Sequence, residues 1–173
     1  MSAEISEGAF IICADSGYDK ALQAGTKPDL ILGDFDSLEN PLPDNIETMR
    51  SPVHKDDTDT MLAVRTALDR GYDDITLISA CGGRTDHTLA NIATLLFIRE
   101  HGARASIKGD STDIYILEDE KITLSPDLSR YLSVFAISEK ATVSIAGAGY
   151  PLDNYVMERS FPIGVSNEFT LSL

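Results

Sequence analysis

In its first half this chain repeatedly runs a short apolar stretch into a turn of Asp, Gly or both. Phe10–Ala14 stops at Asp15, Leu30–Leu32 at Gly33, Asp34 and Asp36, and Ile75–Ala80 before Gly82–His87. A shorter run at Ile46–Met49 precedes His54–Asp59, and Ala103–Ile107 follows the last of these helical stretches. Continuous apolar runs of this length mark strands buried on both faces. Between them the spacing is helical. A helix is predicted over Tyr18–Ala24. A second runs to about Arg70, with Met61, Val64 and Leu68 at i, i+3 and i+7 and Gly71 behind it. A third covers Leu89–His101, with Leu89, Ile92, Ala93, Leu96 and Phe97 on one face. Strand alternating with helix predicts a parallel sheet. Such a sheet takes its ligands outside the carboxyl ends of its strands. The loops at Asp15, Asp34/Asp36, Asp56–Asp59 and Gly82–His87 are therefore expected along one edge.

Past Lys108 the helical spacing stops. Short β-type runs follow at Ile114–Leu117, Ile122–Leu124, Tyr131–Ile137, Thr142–Ile145 and Phe169–Leu173, separated by Gly, Pro, Asp and Ser. The expected fold class is therefore α/β: an N-terminal Rossmann-like parallel sheet with helices over residues 1–107, followed by an all-β sandwich over residues 108–173.

The acidity of the loops extends to the whole chain. Asp and Glu number 28 against 14 Lys and Arg, a formal charge of −14. That balance argues against nucleic acid or an anionic membrane surface as partner. No apolar run approaches the ~20 residues of a membrane-spanning helix. Cys13 and Cys81 stand alone in apolar runs, without metal or redox spacing, and read as buried free thiols. A reducing, cytoplasmic setting is expected from this.

Asp34 and Asp36 are two apart, and on extended backbone such side chains point the same way. Two converging carboxylates repel unless a cation lies between them. A hard divalent ion with oxygen ligands answers that need; a plain acidic turn is the alternative. Asp57 or Thr58 can cap the following helix, and Asp59 suits the positive end of its dipole. Three caps are not needed, so the surplus carboxylates can instead complete a metal site. Lys55 can meet a phosphate as a point charge. Gly82 and Gly83 form a plausible phosphate cradle, with Arg84 as a forked donor. Asp86 and His87 offer hydrogen bonds or general-base function. The alternative for this loop is a Gly-rich turn with a surface Arg.

Taken in order, Ala14-Asp15-Ser16-Gly17, Gly33-Asp34-Phe35-Asp36-Ser37, Lys55-Asp56-Asp57-Thr58-Asp59 and Gly82-Gly83-Arg84-Thr85-Asp86-His87 resemble the motifs of thiamin pyrophosphokinases. Tyr150-Pro151-Leu152 and Gly164-Val165-Ser166-Asn167-Glu168 resemble that family's C-terminal signatures. The resemblance implies transfer of a pyrophosphoryl group from ATP to the thiamin hydroxyl, with release of AMP. It also implies a homodimer with composite active sites. Through it Asp34, Asp36 and Asp59 look like Mg²⁺ ligands, and Arg84, Asp86 and His87 look like ATP-site residues. Asp15, Lys55, Gly82 and Gly83 join the expected binding set, and Asp86 is the expected base. Ser166 and Asn167 look like contacts to the aminopyrimidine of thiamin, with Thr58 nearby. The family commonly has Gly where Ser16 stands. Two rival readings use the same carboxylates: a Mg²⁺-dependent nucleotide phosphohydrolase and a non-enzymatic acidic cation-binding module. A thiamin requirement for ATP turnover separates the first from the kinase, and any ATP turnover excludes the second.

Overall fold

A computed structural model describes residues 5–36, 38–50 and 58–170. Ser37, Lys55, Asp56 and Asp57 lie outside the described residues, as does the end of the strand expected at Phe169–Leu173. The chain divides into two compact units, Met1–Glu118 and Asp119–Leu173.

The first unit is mixed α/β. Its order is β1 (Ile12–Ala14), α1 (Gly17–Gln23), β2 (Leu30–Gly33), β3 (Glu47–Arg50), α2 (Asp59–Asp69), β4 (Asp74–Ile78), α3 (Thr85–Glu100), β5 (Arg104–Lys108) and β6 (Asp113–Tyr115). The strands β1, β2 and β3 form a parallel sheet, with Ala14 opposite Leu32 and Leu32 opposite Met49. A second sheet pairs β4 with β5 in parallel and β5 with β6 antiparallel. Leu30, Ile31 and Leu32 are fully buried, as their unbroken apolar run requires. At about 2 kcal/mol for each such side chain, they anchor the strand that delivers Asp34 and Asp36. Val64 of α2, Leu95 and Ile98 of α3 and Ile107 of β5 form the main core.

The helix ends follow local chemistry. Thr58 Oγ1 accepts the Met61 amide at 3.2 Å, so Thr58 caps α2. The other end closes with the Gly71 amide on Leu68 and the Tyr72 amide on Ala67. The helix α3 begins at Thr85, ahead of the expected Leu89. Its first turn is polar, and an apolar period cannot reveal it. Thr85, Asp86 and His87 are thus helical, and the loop ends at Arg84.

The second unit is β-rich, with no helix among its described residues. The strand β7 (Tyr131–Leu132) pairs antiparallel with β10 (Asn167–Glu168), and β8 (Lys140–Ile145) with β9 (Leu152–Glu158). Ile122–Leu124 is not a strand, and only two residues of Tyr131–Ile137 are. The strand β9 went unread because Asp153 and Asn154 are turn formers. Asn154 indeed takes a left-handed φ of +47° within it. No helix among the described residues is long and apolar enough to cross a membrane.

Candidate active site

The register of β1 on β2 makes Asp15 and Gly33 leave the sheet side by side. The Asp15 amide donates to the Leu32 carbonyl at 2.8 Å, and Asp15 then turns with φ +47°. Asp tolerates that conformation better than most residues. Ser16 has φ −57° and ψ −7°, an ordinary right-handed conformation, so it needs no glycine.

Past β2, Phe35 takes φ +68° and the Asp36 amide donates to Asp34 Oδ1 at 3.2 Å. Asp34 and Asp36 do converge, but through this Asx turn and not along extended backbone. The Arg50 guanidinium lies 5.4 Å from the Phe35 ring centroid, over the ring.

Asp15, Asp34 and Asp36 each bring one carboxylate oxygen within 4.8 Å of the others. Asp15 Oδ1 is buried without a hydrogen-bond partner. Burial raises the Asp15 pKa most, helped by the charges of Asp59, Asp34 and Asp36 and opposed by a hydrogen bond from the Ser16 backbone. A buried carboxylate oxygen lacking a donor is a group that a cation satisfies. Three converging carboxylates form an all-oxygen donor set that fits a hard divalent ion. Asp59 begins α2, close enough for its charge to act on Asp15 but outside this group of three.

Asp15 entered the sequence reading only as a binding residue. The signal for its place beside Asp34 and Asp36 is the parallel pairing of two runs that both end in Asp or Gly. Asp19 was missed altogether. Its buried carboxylate accepts the Glu39 amide at 3.0 Å, the Asn40 amide at 3.2 Å and Asn40 Nδ2 at 2.6 Å. It thereby ties the chain beyond the acidic turn back onto α1. The Asn40 side chain is the largest cause of the lowered Asp19 pKa.

Gly82 and Gly83 have φ of +97° and +68°, open to glycine far more than to other residues. They border a cleft of about 330 Å³, shared with Lys20, Ser79, Lys108 and Asp110. Arg84 is exposed and forms a two-pronged pair with Asp86, Nη2 to Oδ2 at 2.5 Å and Nε to Oδ1 at 3.1 Å. That pair, joined by the His87 amide, holds Asp86 down at about 2. A carboxylate so acidic is a weak base. Cys81 is only partly buried, not fully as expected, and burial still raises its pKa. Cys13 is buried and pushed up to about 11. A larger groove, about 670 Å³ between α2 and α3, holds none of the expected site residues.

In the second unit Ser166 is exposed with φ +61°, and its amide donates to Ser133 Oγ at 3.1 Å. Asn167 is buried beside it. Its Oδ1 accepts the Tyr150 amide at 2.9 Å and its Nδ2 donates to the Tyr150 carbonyl at 2.7 Å. The two expected aminopyrimidine contacts are thus neighbours, with Asn167 already joined to the Tyr150 backbone.

The description "Thiamin pyrophosphokinase, catalytic domain" matches residues 2–107, and "Thiamin pyrophosphokinase, vitamin B1 binding domain" matches residues 119–172. The chain is 32% identical to a thiamine pyrophosphokinase of Bacillus subtilis, over 97% of this chain and 82% of that protein. A thiamin pyrophosphokinase of Caenorhabditis elegans is 25% identical, over 84% of this chain and 64% of the nematode protein. The crystal structure of the Bacillus subtilis enzyme superposes with a TM-score of 0.86 at 27% identity, covering 97% of this chain and 82% of that one. That of a Geobacillus thermodenitrificans thiamin pyrophosphokinase gives 0.73 at 26%, covering 97% and 80%.

Proposed function

The chain belongs to the thiamin pyrophosphokinase family, and from that premise we propose how its residues divide the transfer of a pyrophosphoryl group from ATP to thiamin. The observation that carries the division is the group of Asp15, Asp34 and Asp36, with its buried unpartnered oxygen. These three carboxylates would hold Mg²⁺, and Asp59 adds negative charge beside them. A bound Mg²⁺ would supply positive charge against the negative charge that builds on the phosphates. The chain's own residues do the positioning. The amides of Gly82 and Gly83 face phosphate oxygens, and Arg84 adds a forked donor at the start of α3. Asp86 orients Arg84, which its low pKa suits better than accepting the proton of the thiamin hydroxyl. His87 lies beside this pair on α3, and Thr58 keeps the start of α2 in place.

The β-rich unit takes thiamin, as its match to a vitamin B1 binding domain supports. Ser166 contacts the aminopyrimidine, and Asn167 acts by fixing the Tyr150 turn. We read this unit as a sandwich built on the β7–β10 and β8–β9 pairs. A homodimer, working in the cytoplasm, completes the reading. Exposed Leu128, Tyr131, Phe135 and Phe161 on this small unit support association. Sedimentation at micromolar concentration tests the dimer, and a monomer with full activity refutes it.

One mixture tests the reaction: the protein with ATP, Mg²⁺ and thiamin, followed by phosphorus NMR. Attack on the β-phosphorus yields AMP and thiamin diphosphate. ADP with thiamin monophosphate contradicts that path, and phosphate release without thiamin favours a phosphohydrolase.

A further inference from the structure

We propose that Lys108 is a substrate-contacting residue that binds a phosphate of the nucleoside triphosphate, its ammonium held in place by Tyr115 and Asp113; this rests on the ATP-dependent reading above. The strands β4 and β5 are parallel neighbours with Ile78 opposite Lys108. Gly82 and Gly83 follow β4, and Lys108 ends β5, so both reach the carboxyl edge where such sheets take ligands. They border the same cleft of about 330 Å³.

The Lys108 ammonium is fixed from two sides. It donates to Asp113 Oδ2 at 2.9 Å and to the Tyr115 hydroxyl, and it stands 4.6 Å from the Tyr115 ring centroid. An ammonium has three donors. Two are engaged by β6, and because Lys108 borders the cleft, the third is the one that a ligand there would meet. A free lysine loses rotamer freedom when it grips a ligand; this one is ordered beforehand. A clip that only closed the β5–β6 hairpin would have no need to stand beside a glycine pair.

The lining chemistry selects phosphate over a base. The cleft's lining includes two lysines, Lys20 and Lys108, and one acidic residue, Asp110, while Asp113, outside the lining, pairs with Lys108. No aromatic ring among the described residues lines it for a base to stack on. A compact, strongly hydrated ammonium suits phosphate oxygens.

Calorimetry of the full chain with Mg²⁺-ATP, inorganic triphosphate and adenosine tests this, alongside steady-state kinetics. Lys108→Met is expected to weaken ATP and triphosphate by about tenfold or more, the worth of one charge-assisted hydrogen bond. Adenosine binding and the thiamin KM are expected to stay unchanged. Tyr115→Phe keeps the charge and loosens it, and should raise the ATP KM by a smaller factor with the thiamin KM again unmoved. Lys108→Gln serves if the Met variant does not fold. Triphosphate binding equal to wild type in a folded Lys108 variant overturns the proposal. So does an equal loss for adenosine, or a Tyr115→Phe that lowers the melting temperature and leaves ATP affinity intact. Thiamin-dependent turnover by the wild type upholds the parent reading whatever the variants do, and its absence sinks that reading separately.

Discussion

Gly33 runs so close beside Asp15 that a Cβ placed on it would stand 3.3 Å from the Asp15 Cα and 3.4 Å from its Cβ, on a backbone with φ +145°. That contact sets where the Asp15 carboxylate sits relative to Asp34. Gly33→Ala is therefore expected to cost about 1–3 kcal/mol of stability, from backbone strain alone. It should also weaken Mg²⁺ or Mn²⁺ binding. Urea unfolding and a metal titration check both, and a variant as stable as wild type with unchanged metal affinity removes Gly33 from this role.

Asp34→Asn and Asp36→Asn each take a charge from the group of three while keeping the shape of the side chain. We expect each to lower kcat/KM by two orders of magnitude or more, on the order of 3 kcal/mol of transition-state stabilisation. Metal-dependent ATP binding should fall in parallel, with circular dichroism unchanged. Wild-type Mg²⁺ dependence in both variants would falsify the assignment.

Asn167 bridges both the amide and the carbonyl of Tyr150. Asn167→Ala leaves those backbone groups without partners, at a cost of about 1–3 kcal/mol. The expected outcome is an earlier denaturant midpoint in the β-rich unit, along with any rise in the thiamin KM. A raised KM with the midpoint unmoved would mean that the side chain serves the ligand and not the fold.

Asp86 is held at about 2, below its ordinary 3.8, chiefly by the Arg84 side chain. A depressed acid adds stability that is present above the ordinary value and lost as pH falls through the depressed one. The contribution should therefore fade between about pH 4 and about pH 2, and Asp86→Asn should flatten that part of the stability profile. Because both side chains are exposed, the change is small. Asp86 stays ionised throughout the neutral range, so any activity transition near neutrality should survive Asp86→Asn. Its disappearance in the variant would restore Asp86 as the base.

The strand cores were legible because burial on both faces demands unbroken apolar runs, as at Leu30–Leu32. The ends of α2 were equally open to reading, since Thr58 and Gly71 announce themselves chemically. The start of α3 was hidden by a polar first turn, and β9 by Asp153 and Asn154. Asp34 and Asp36 converge as their spacing suggests, but for another reason: the left-handed Phe35, not an extended backbone, brings them together. Asp15 joins them through strand register, which a single stretch of sequence does not display. Asp19 meets Glu39 and Asn40 across 20 and 21 residues of sequence, and Lys108 comes beside Gly82 and Gly83 only through the pairing of β4 with β5, so nothing local marks either.

The grip of Asp19 on Glu39 and Asn40 bears on how such a chain can vary over time. The segment bearing Asp34 and Asp36 is pinned at one end where Gly33 passes Asp15, and at the other where Asn40 meets α1. Both pins belong to the same strand–helix corner. Adding or removing a residue between them would shift the carboxylates or break the hold, whereas a change in length beyond Asn40 disturbs neither. Insertions and deletions are thus expected to be excluded between Gly33 and Glu39.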